Sequence, residues 1–221
     1  MLAASFSSHE SIYDYSWSKD SELDAAQILS GVATVADDID PGLRFCFQTT
    51  YLNERYVEYE KHIGSYFLIW LLRNPHSVVY SMLHNWSRFA LDEVFLSCGR
   101  DYLTQAQTTR LNRFGVFGVK PIYRACYAYL GKLKQCEELL TTLPPESMRT
   151  VEYEVLVSDK TRVMNSLYDF TQLARQPETG ETIHTRSLKK ADKLSAKHKS
   201  IVEALCSAPY ERLRSEQARE L

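Results

Sequence analysis

Hydrophobic residues recur along the chain with two spacings, which predict strands that alternate with helices. An unbroken run of uncharged, mostly apolar side chains at residues 66–72 is typical of a strand covered on both faces in a parallel sheet. Shorter apolar runs at residues 43–47 and 148–156 predict two further strands. Such alternation predicts an α/β fold with a mostly parallel sheet flanked by helices.

The segments between these strands have the spacing of amphipathic helices. Pro144 and Pro145 end the longest of them, and Ser158 or Asp159 is suited to cap the next. Polar or glycine-rich stretches at residues 115–121 and 176–193 predict exposed loops. The predicted helices cover residues 1–8, 20–36, 51–63, 122–140, 160–173 and a final helix capped by Ser195.

The most specific local signals lie just after residues 66–72. Asn74 is a good N-cap residue, and Pro75 suits the first helical position because its missing N–H needs no partner there. Arg73 is then held at the carboxyl end of a strand, beside the positive end of a helix. Open α/β sheets bind ligands at such places, and anions are favoured there.

The composition is that of an ordinary globular protein. Hydrophobic residues make up 44% of the 221 and charged residues 24%, and the net charge of −2 gives no global basic field for nucleic acid. No apolar stretch approaches the length of a membrane helix, and the first residues do not form a signal peptide. We therefore expect a cytoplasmic protein that binds neither nucleic acid nor a membrane.

The cysteines are spaced as isolated, reduced thiols. Their number is odd, no two form a C-x-x-C pair, and no zinc-type cluster accompanies them. We expect no metal site. The five are Cys46, Cys98, Cys126, Cys136 and Cys206.

Arg73 and Ser81 are eight residues apart, a spacing that allows both to face one anion at the sheet edge. A guanidinium offers phosphate a planar fork, and a hydroxyl adds a short hydrogen bond. The residues alone leave open an equally simple arrangement. In it, Arg73 pairs with a surface carboxylate and Ser81 has no ligand.

This segment resembles a motif of the sulfotransferases that use 3'-phosphoadenosine-5'-phosphosulfate (PAPS). In that family a hydrophobic strand is followed by Arg-Asn/Asp-Pro and then by a helix with Ser eight residues after the Arg. Arg73-Asn74-Pro75 and Ser81 fit the motif in register. The resemblance implies a sulfotransferase-like, P-loop-type fold and PAPS as sulfuryl donor to a small-molecule or glycan acceptor. It also implies that Arg73 and Ser81 hold the 3'-phosphate.

Three further places are similar to that family, in the same order along the chain. Residues 152–154, Glu-Tyr-Glu, resemble its Tyr-Glu-Asp segment, whose Tyr commonly lies near the adenine, which implies that role for Tyr153. Residues 157–173 resemble the helix that follows. Basic residues before the C-terminal helix often contact the 3'-phosphate in the family, although a solvated loop explains them as readily. The basic residues at that place here are Arg186, Lys189 and Lys190.

The family's second signature, a glycine-rich loop that aims backbone N–H groups at the 5'-phosphosulfate, is missing from the sequence. Residues 1–8 nevertheless resemble the helix that directly follows this loop. We therefore expect one domain over residues 1–221, with its first strand and phosphate loop lost by a truncated start. A degenerate relative is the alternative. Residues 86–121 are predicted to be an insertion on the acceptor side, and residues 214–221 a flexible tail.

The catalytic base is unassigned. Many members of the family carry a Lys-Thr dipeptide, sometimes followed by a catalytic His, where this chain has Gln48, Thr49 and Thr50. A lysine there stabilises charge on the leaving phosphate, and the His deprotonates the acceptor. Other acid–base candidates, each equally explained as a surface residue, are Glu54, Glu58 and His84.

Two hypotheses about function remain from the sequence. The first is an enzyme that transfers a sulfuryl group from PAPS to a hydroxyl or amine, with aromatic residues 86–129 lining the acceptor. The second is a truncated or inactive relative that binds a nucleotide, or a partner through the aromatic helix at residues 123–130. A nucleotide kinase is disfavoured, because the sequence has no Gly-Lys-Ser/Thr phosphate loop.

Overall fold

The computed structural model describes residues 12–14, 44–47, 66–175 and 185–217. In this part of the chain the protein is mostly helical, with two pairs of parallel strands. The helices predicted at residues 1–8, 20–36 and 51–63 lie outside it. Residue contacts form two compact units, one of Met1–Phe67 with Asn165–Ile183 and one of Leu68–Met164 with His184–Leu221.

The first unit contains a short parallel pair, β1 (Ile12–Asp14) and β2 (Arg44–Cys46), with Ile12 opposite Arg44. The strand predicted at residues 43–47 is therefore confirmed. The Arg44 guanidinium donates to the carbonyl of Thr171 and lies 6.0 Å from the centroid of the Phe67 ring. The Phe67 ring in turn meets Phe170 edge-on, with centroids 5.2 Å apart. These contacts tie β2 to the end of a helix of the same unit.

The second unit is built on β3 (Leu68–Leu72) and β4 (Met148–Glu152), which pair in parallel with Leu72 opposite Glu152. The strand predicted at residues 66–72 is confirmed, but it is not covered on both faces, because Leu71 is 39% exposed. The helices that follow these strands are α1 (Pro75–His84), α2 (Arg88–Val94), α3 (Gln105–Phe114), α4 (Pro121–Thr142), α5 (Tyr153–Ser158), α6 (Lys160–Thr171), α7 (Ala196–Val202) and α8 (Ala208–Gln217).

The third predicted strand is shorter than expected, because the backbone becomes helical at Tyr153 rather than after Leu156. Strand pairing ends where its partner ends, and β3 stops at Leu72 before the helix-starting Asn74-Pro75. Tyr153 is therefore the first residue of α5. Asp159, one of the two predicted caps, accepts a hydrogen bond from the Arg162 N–H at 3.2 Å at the start of α6.

Helix α4 runs through the middle of the second unit and confirms the long helix predicted at residues 122–140. It is buried on all sides between Arg124 and Gly131. The π-helical turn Phe95–Gly99 crosses it so closely that a Cβ atom on Gly131 would collide with the Cys98 backbone. The buried Arg124 side chain forms an ion pair with Asp92 of α2. Residues 86–121 therefore pack against the core of this unit through both contacts.

The same burial removes the partner-binding helix predicted at residues 123–130. Tyr127 and Tyr129 are each 4% exposed and Leu130 is 7% exposed. A partner could reach these side chains only if the core opened.

The predicted loop at residues 115–121 is only partly irregular, since Gly115–Gly118 forms a 3-10 helix. Gly115 ends α3 with a backbone φ of +59°, a conformation that residues other than glycine rarely adopt. Gly118 packs against the backbone of Arg110, where a Cβ atom has no room. The turn is therefore folded back on α3.

The exposed loop predicted at residues 176–193 is wrong for its second half, because Thr185–Lys193 is a 3-10 helix. This helix packs against α1. Leu194, which directly follows this helix, is only 5% exposed and anchors its end. The polar composition of the segment gave no sign of this buried contact. Residues 176–184 lie outside the described part.

The final helix begins as predicted, since the Ser195 hydroxyl accepts a hydrogen bond from the His198 N–H at 3.3 Å. A π-helical turn, Glu203–Ser207, leads from α7 into α8. Residues 214–217, the first of the tail predicted from residue 214, belong to α8. Arg214 pairs there with Glu152 of β4 at 3.0 Å, and this holds α8 against the end of the strand.

Candidate functional site

The carboxyl end of β3 passes directly into α1, and side chains on both sides fix this junction. The Asn74 Oδ1 accepts a hydrogen bond from the His76 N–H at 2.9 Å, and Pro75 occupies the first helical turn, both as predicted. The Tyr129 hydroxyl, from α4, donates to the carbonyl oxygen of Arg73 at 2.8 Å. The backbone of Arg73 is thus held between a capped helix and the buried core.

The Arg73 side chain lies over an aromatic ring. Its guanidinium carbon is 4.3 Å from the centroid of Tyr153, which is 4% exposed. The strand register explains the contact. Leu72 is opposite Glu152, and Arg73 and Tyr153 are the residues that directly follow them. Cation–π contacts of this kind hold a guanidinium in one orientation.

A second cation approaches Arg73 from the 3-10 helix Thr185–Lys193. Burial lowers the pKa of Lys190, and repulsion by Arg73 and then by Lys193 lowers that pKa further. Lys189 is exposed, although it is the adjacent residue. Arg186 belongs to the same helix, and its side chain lies outside the described part. Lys190 is therefore close enough to Arg73 for the two charges to repel each other.

Ser81 lies on α1, in the helix that contacts Thr185–Lys193. Its Oγ accepts a hydrogen bond from the Asn85 side chain at 3.2 Å, and its hydroxyl hydrogen remains available to donate. A rise of about 1.5 Å per residue puts Ser81 roughly 9 Å along the helix from Pro75. A common anion would have to bridge that separation with the help of the long Arg73 side chain.

Glu154 is part of this junction, although the sequence analysis gave it no role. Its Oε1 accepts a hydrogen bond from the Asn74 N–H at 3.2 Å. Its Oε2 is buried and has no hydrogen-bond partner among the described residues. Burial raises the pKa of Glu154, against smaller opposing effects of its hydrogen bonds and of Arg73. A carboxyl group therefore already lies at the positive end of α1.

Helix α8 covers the other side of these acidic groups. Burial raises the pKa of Tyr210, and the nearby Glu154 and Glu152 raise it further. The guanidinium of Arg214 pairs with Glu152 at 3.0 Å. The two glutamates that flank Tyr153 thus have different partners, Arg214 for one and the α1 junction for the other.

His84, the acid–base candidate within the described residues, does not lie at this junction. His84 is exposed at the far end of α1, where its ring lies 4.5 Å from that of Tyr80. Gln48, Thr50, Glu54 and Glu58 lie outside the described part. In the described ranges no group of three or more His, Cys, Asp or Glu side chains is arranged to hold a metal ion.

No helix within residues 66–175 or 185–217 is both long and apolar enough to cross a membrane. None of the five cysteines, all of which lie in the described ranges, forms a disulfide. Three of them, Cys126, Cys136 and Cys206, are fully buried.

Comparison with known proteins gives one structural likeness. The chain is similar to the sulfotransferase domain from the curacin biosynthetic pathway, with 20% sequence identity and a TM-score of 0.49. The likeness covers 80% of this chain and 63% of that domain, so the chain spans less than two thirds of its length. No protein-family model matches the sequence, and no curated protein matches it.

Proposed function

We propose that the chain is a PAPS-dependent sulfotransferase with a sulfotransferase-like α/β fold, and that the β3–α1 junction binds the 3'-phosphate of the nucleotide. The observation that carries this proposal is the position of Arg73. Its guanidinium lies at the carboxyl end of a parallel strand, beside a capped helix start and near Lys190. The sequence resemblance assigns a phosphate to the same residue.

The electrostatics of the junction favour a dianionic group. Burial lowers the pKa of Lys190, and repulsion by Arg73 and by Lys193 lowers that pKa further. A 3'-phosphate placed among them replaces that repulsion with charge-assisted hydrogen bonds. The positive end of α1 adds a partial charge of the same sign.

The acidic groups of the junction limit how the phosphate can bind. Glu154 accepts the Asn74 N–H, so the phosphate competes with it for the start of α1. Binding is therefore assigned to the guanidinium fork of Arg73, the ammonium of Lys190 and the hydroxyl of Ser81. Arg186 and Lys189 are assigned at most supporting, more distant roles.

Tyr153 is assigned mainly to the orientation of Arg73. With 4% of the residue exposed, only a narrow edge of the ring is left for the adenine. The Arg73 guanidinium covers one face of that ring. A base that packs here would contact the ring edge and the guanidinium plane together.

When bound, PAPS supplies an activated sulfuryl group for transfer to a hydroxyl or amine. The residues described here bind and orient the nucleotide, and the proposal assigns no base among them. Positioning a reactant and stabilising charge account for much of the catalysis in group transfer. The segment 86–121 is proposed as the acceptor side.

A second candidate function is a nucleotide-binding protein without transferase activity. Gln48 and Thr50 favour it, since they stand where the family carries charged or basic groups. The same Arg73 site serves both candidates. Binding and transfer must therefore be measured separately.

Isothermal titration calorimetry with 3'-phosphoadenosine-5'-phosphate (PAP) tests the site. Loss of a charged hydrogen bond costs about 1.5–3 kcal/mol, so Arg73→Ala should weaken PAP binding roughly 10- to 100-fold. Arg100→Ala is the matched control, because this exposed arginine lies in the 3-10 helix Arg100–Tyr102. No binding by the unaltered protein, or equal binding by both variants, would overturn the site.

Transfer of labelled sulfate from PAPS to a panel of alcohols, amines and glycans separates the two functions. The enzyme hypothesis predicts a labelled product that Arg73→Ala reduces in proportion to its lost affinity. PAP binding without any product supports the nucleotide-binding alternative.

A further inference from the structure

Three phenylalanine side chains from residues 86–121 are left in solvent. Phe89 is 77% exposed, Phe117 is 72% exposed and Phe114 is 55% exposed. Elsewhere in the same segment Phe95 is fully buried, so the segment does have a core in which aromatic residues pack. Exposed apolar groups that lie together mark interaction sites more often than singly exposed ones do.

One contact with arginine brings α2 beside the turn that follows α3, and the three rings belong to these neighbouring segments. The guanidinium carbon of Arg88, at the start of α2, lies 5.1 Å from the centroid of Phe117. Phe89 is the next residue of α2. The guanidinium carbon of Arg113 lies 5.0 Å from the centroid of Phe114, three residues before Phe117. We call this surface, made of Arg88, Phe89, Arg113, Phe114 and Phe117, the aromatic face.

The charge around the aromatic face is mostly positive, and Glu93, an exposed residue one turn after Phe89 in α2, is an exception. From residue 102 to residue 136 the sequence contains no aspartate or glutamate. One cation of this stretch, Arg124, is neutralised by Asp92 in the core, and Lys134 pairs with Glu138 at 3.7 Å. Arg110, Arg113 and Lys120 are exposed. The face and its surroundings are therefore basic, although the whole chain carries a net charge of −2.

The choice of cation indicates the kind of partner. Three of the four exposed basic side chains around the rings are arginines, Arg88, Arg110 and Arg113. A guanidinium stacked on a ring keeps its N–H groups in the plane and can bind a carboxylate with two hydrogen bonds. A diffuse attraction to an anionic lipid surface would be served equally by lysine. Arginine and aromatic residues are also enriched in protein interfaces, where Lys and Glu are depleted.

We infer that the aromatic face binds an acidic segment of another protein, in which Asp or Glu residues are interspersed with aliphatic or aromatic ones. The rings bury the apolar side chains of the partner, and the arginines pair with its carboxylates. This interaction is separate from nucleotide binding, because none of its residues belongs to the β3–α1 junction. It gives a protein partner to the segment proposed as the acceptor side.

Selection from a random-peptide display library against the whole protein tests this inference. The expected peptides combine Asp or Glu with Leu, Ile, Phe or Trp, and they bind with an affinity that falls with added salt. Failure to enrich any peptide overturns the inference. Enriched peptides without an acidic bias overturn it as well.

Two variants locate the interaction on the face. Phe114→Ser/Phe117→Ser removes two exposed rings, and Arg88→Glu reverses one charge. Each should weaken the selected peptides about tenfold or more, as loss of a central interface residue does. Lys197→Glu, a charge reversal at an exposed residue of α7, is the control and should leave binding unchanged. Peptides that bind all variants equally contradict the assignment.

Three readouts separate this inference from its competitors. The altered side chains are exposed, so thermal midpoints and PAP affinity should remain those of the unaltered protein. Binding to phosphatidylserine vesicles that is lost in the double phenylalanine variant would replace the acidic protein partner with a lipid surface. A concentration-dependent dimer that dissociates in the same variant would replace it with a second copy of the chain.

Discussion

The guanidinium of Arg73 lies on the ring of Tyr153, with 4.3 Å between the guanidinium carbon and the ring centroid. Each residue follows the end of a strand, and the parallel register of β3 and β4 brings the two strand ends together. The contact therefore follows from the sheet itself. It holds an arginine beside the start of α1.

Replacing the Tyr153 ring should weaken nucleotide binding through Arg73. Tyr153→Phe keeps the ring and Tyr153→Leu removes it, while both lose the hydroxyl. A cation–π contact contributes about 0.5–2 kcal/mol, so the leucine variant should bind PAP roughly 2- to 30-fold more weakly than the phenylalanine variant. Titration calorimetry on both variants measures the difference. Equal affinities would mean that the ring does not position the guanidinium.

Adjacent lysines of the 3-10 helix Thr185–Lys193 should differ in their effect on binding. Lys190 is half-buried and is repelled by Arg73, whereas Lys189 is exposed. Lys190→Ala should therefore reduce PAP affinity several-fold, and Lys189→Ala should change it little, since exposed charges are screened by salt. Calorimetry at low and high salt checks both. A larger loss for Lys189 would contradict the assignment.

Glu154 should make the stability of the protein depend on pH. Burial raises its pKa in the folded protein above the ordinary value of 4.5. In the unfolded chain the carboxyl ionises at that ordinary pKa, so the free energy of unfolding falls as pH rises from there to the folded pKa, and then levels off. Glu154→Gln removes this loss. Its advantage over the unaltered protein should therefore grow as pH rises above the ordinary pKa of 4.5 and level off above the raised pKa of the folded protein.

Urea unfolding at several pH values measures this difference. Glu146→Gln, at an exposed glutamate, is the control and should show no such trend. The same Glu154→Gln variant should bind PAP more tightly at neutral pH, because it removes a negative charge beside Arg73. An advantage that shrinks as pH rises would contradict the argument.

Alanine variants of two N-cap residues should show whether a cap contributes to protein stability alone or to PAP binding as well. Asn74 caps α1 and Ser195 caps α7, each through a side-chain oxygen that accepts a backbone N–H. Loss of an N-cap costs about 0.5–2 kcal/mol, so both alanine variants should unfold at lower urea concentration. Asn74→Ala alone should also weaken PAP binding, since it loosens the junction next to Arg73. Equal PAP affinity in both variants would show that the cap serves stability only.

The local signals of the sequence predict much of the backbone around Arg73. A run of apolar residues, a good cap and a proline at the first helical position act within a few residues, and the strand and helix they predict are present. The Ser195 cap was predictable for the same reason. Each of these features depends on neighbours in the chain.

Features that depend on distant contacts were missed. Glu154 contacts Asn74 across 80 residues of sequence, and no sequence pattern near Glu154 predicts this contact. The helical start at Tyr153 is set by where β3 ends, not by the apolar residues that follow. The difference between Lys189 and Lys190 depends on a 3-10 helix that polar composition conceals. The exposed rings of the aromatic face could not be told from core residues by spacing alone.

The central claim is that Arg73 recognises a 3'-phosphate, and a comparison of two nucleotides tests it most directly. PAP and adenosine 5'-phosphate differ only in that group, and calorimetry with each ligand on the unaltered protein and on Arg73→Ala completes a cycle. We expect the unaltered protein to prefer PAP by roughly tenfold or more and Arg73→Ala to lose most of this preference. An Arg73→Ala variant that keeps the full preference, or an unaltered protein that has none, would contradict it.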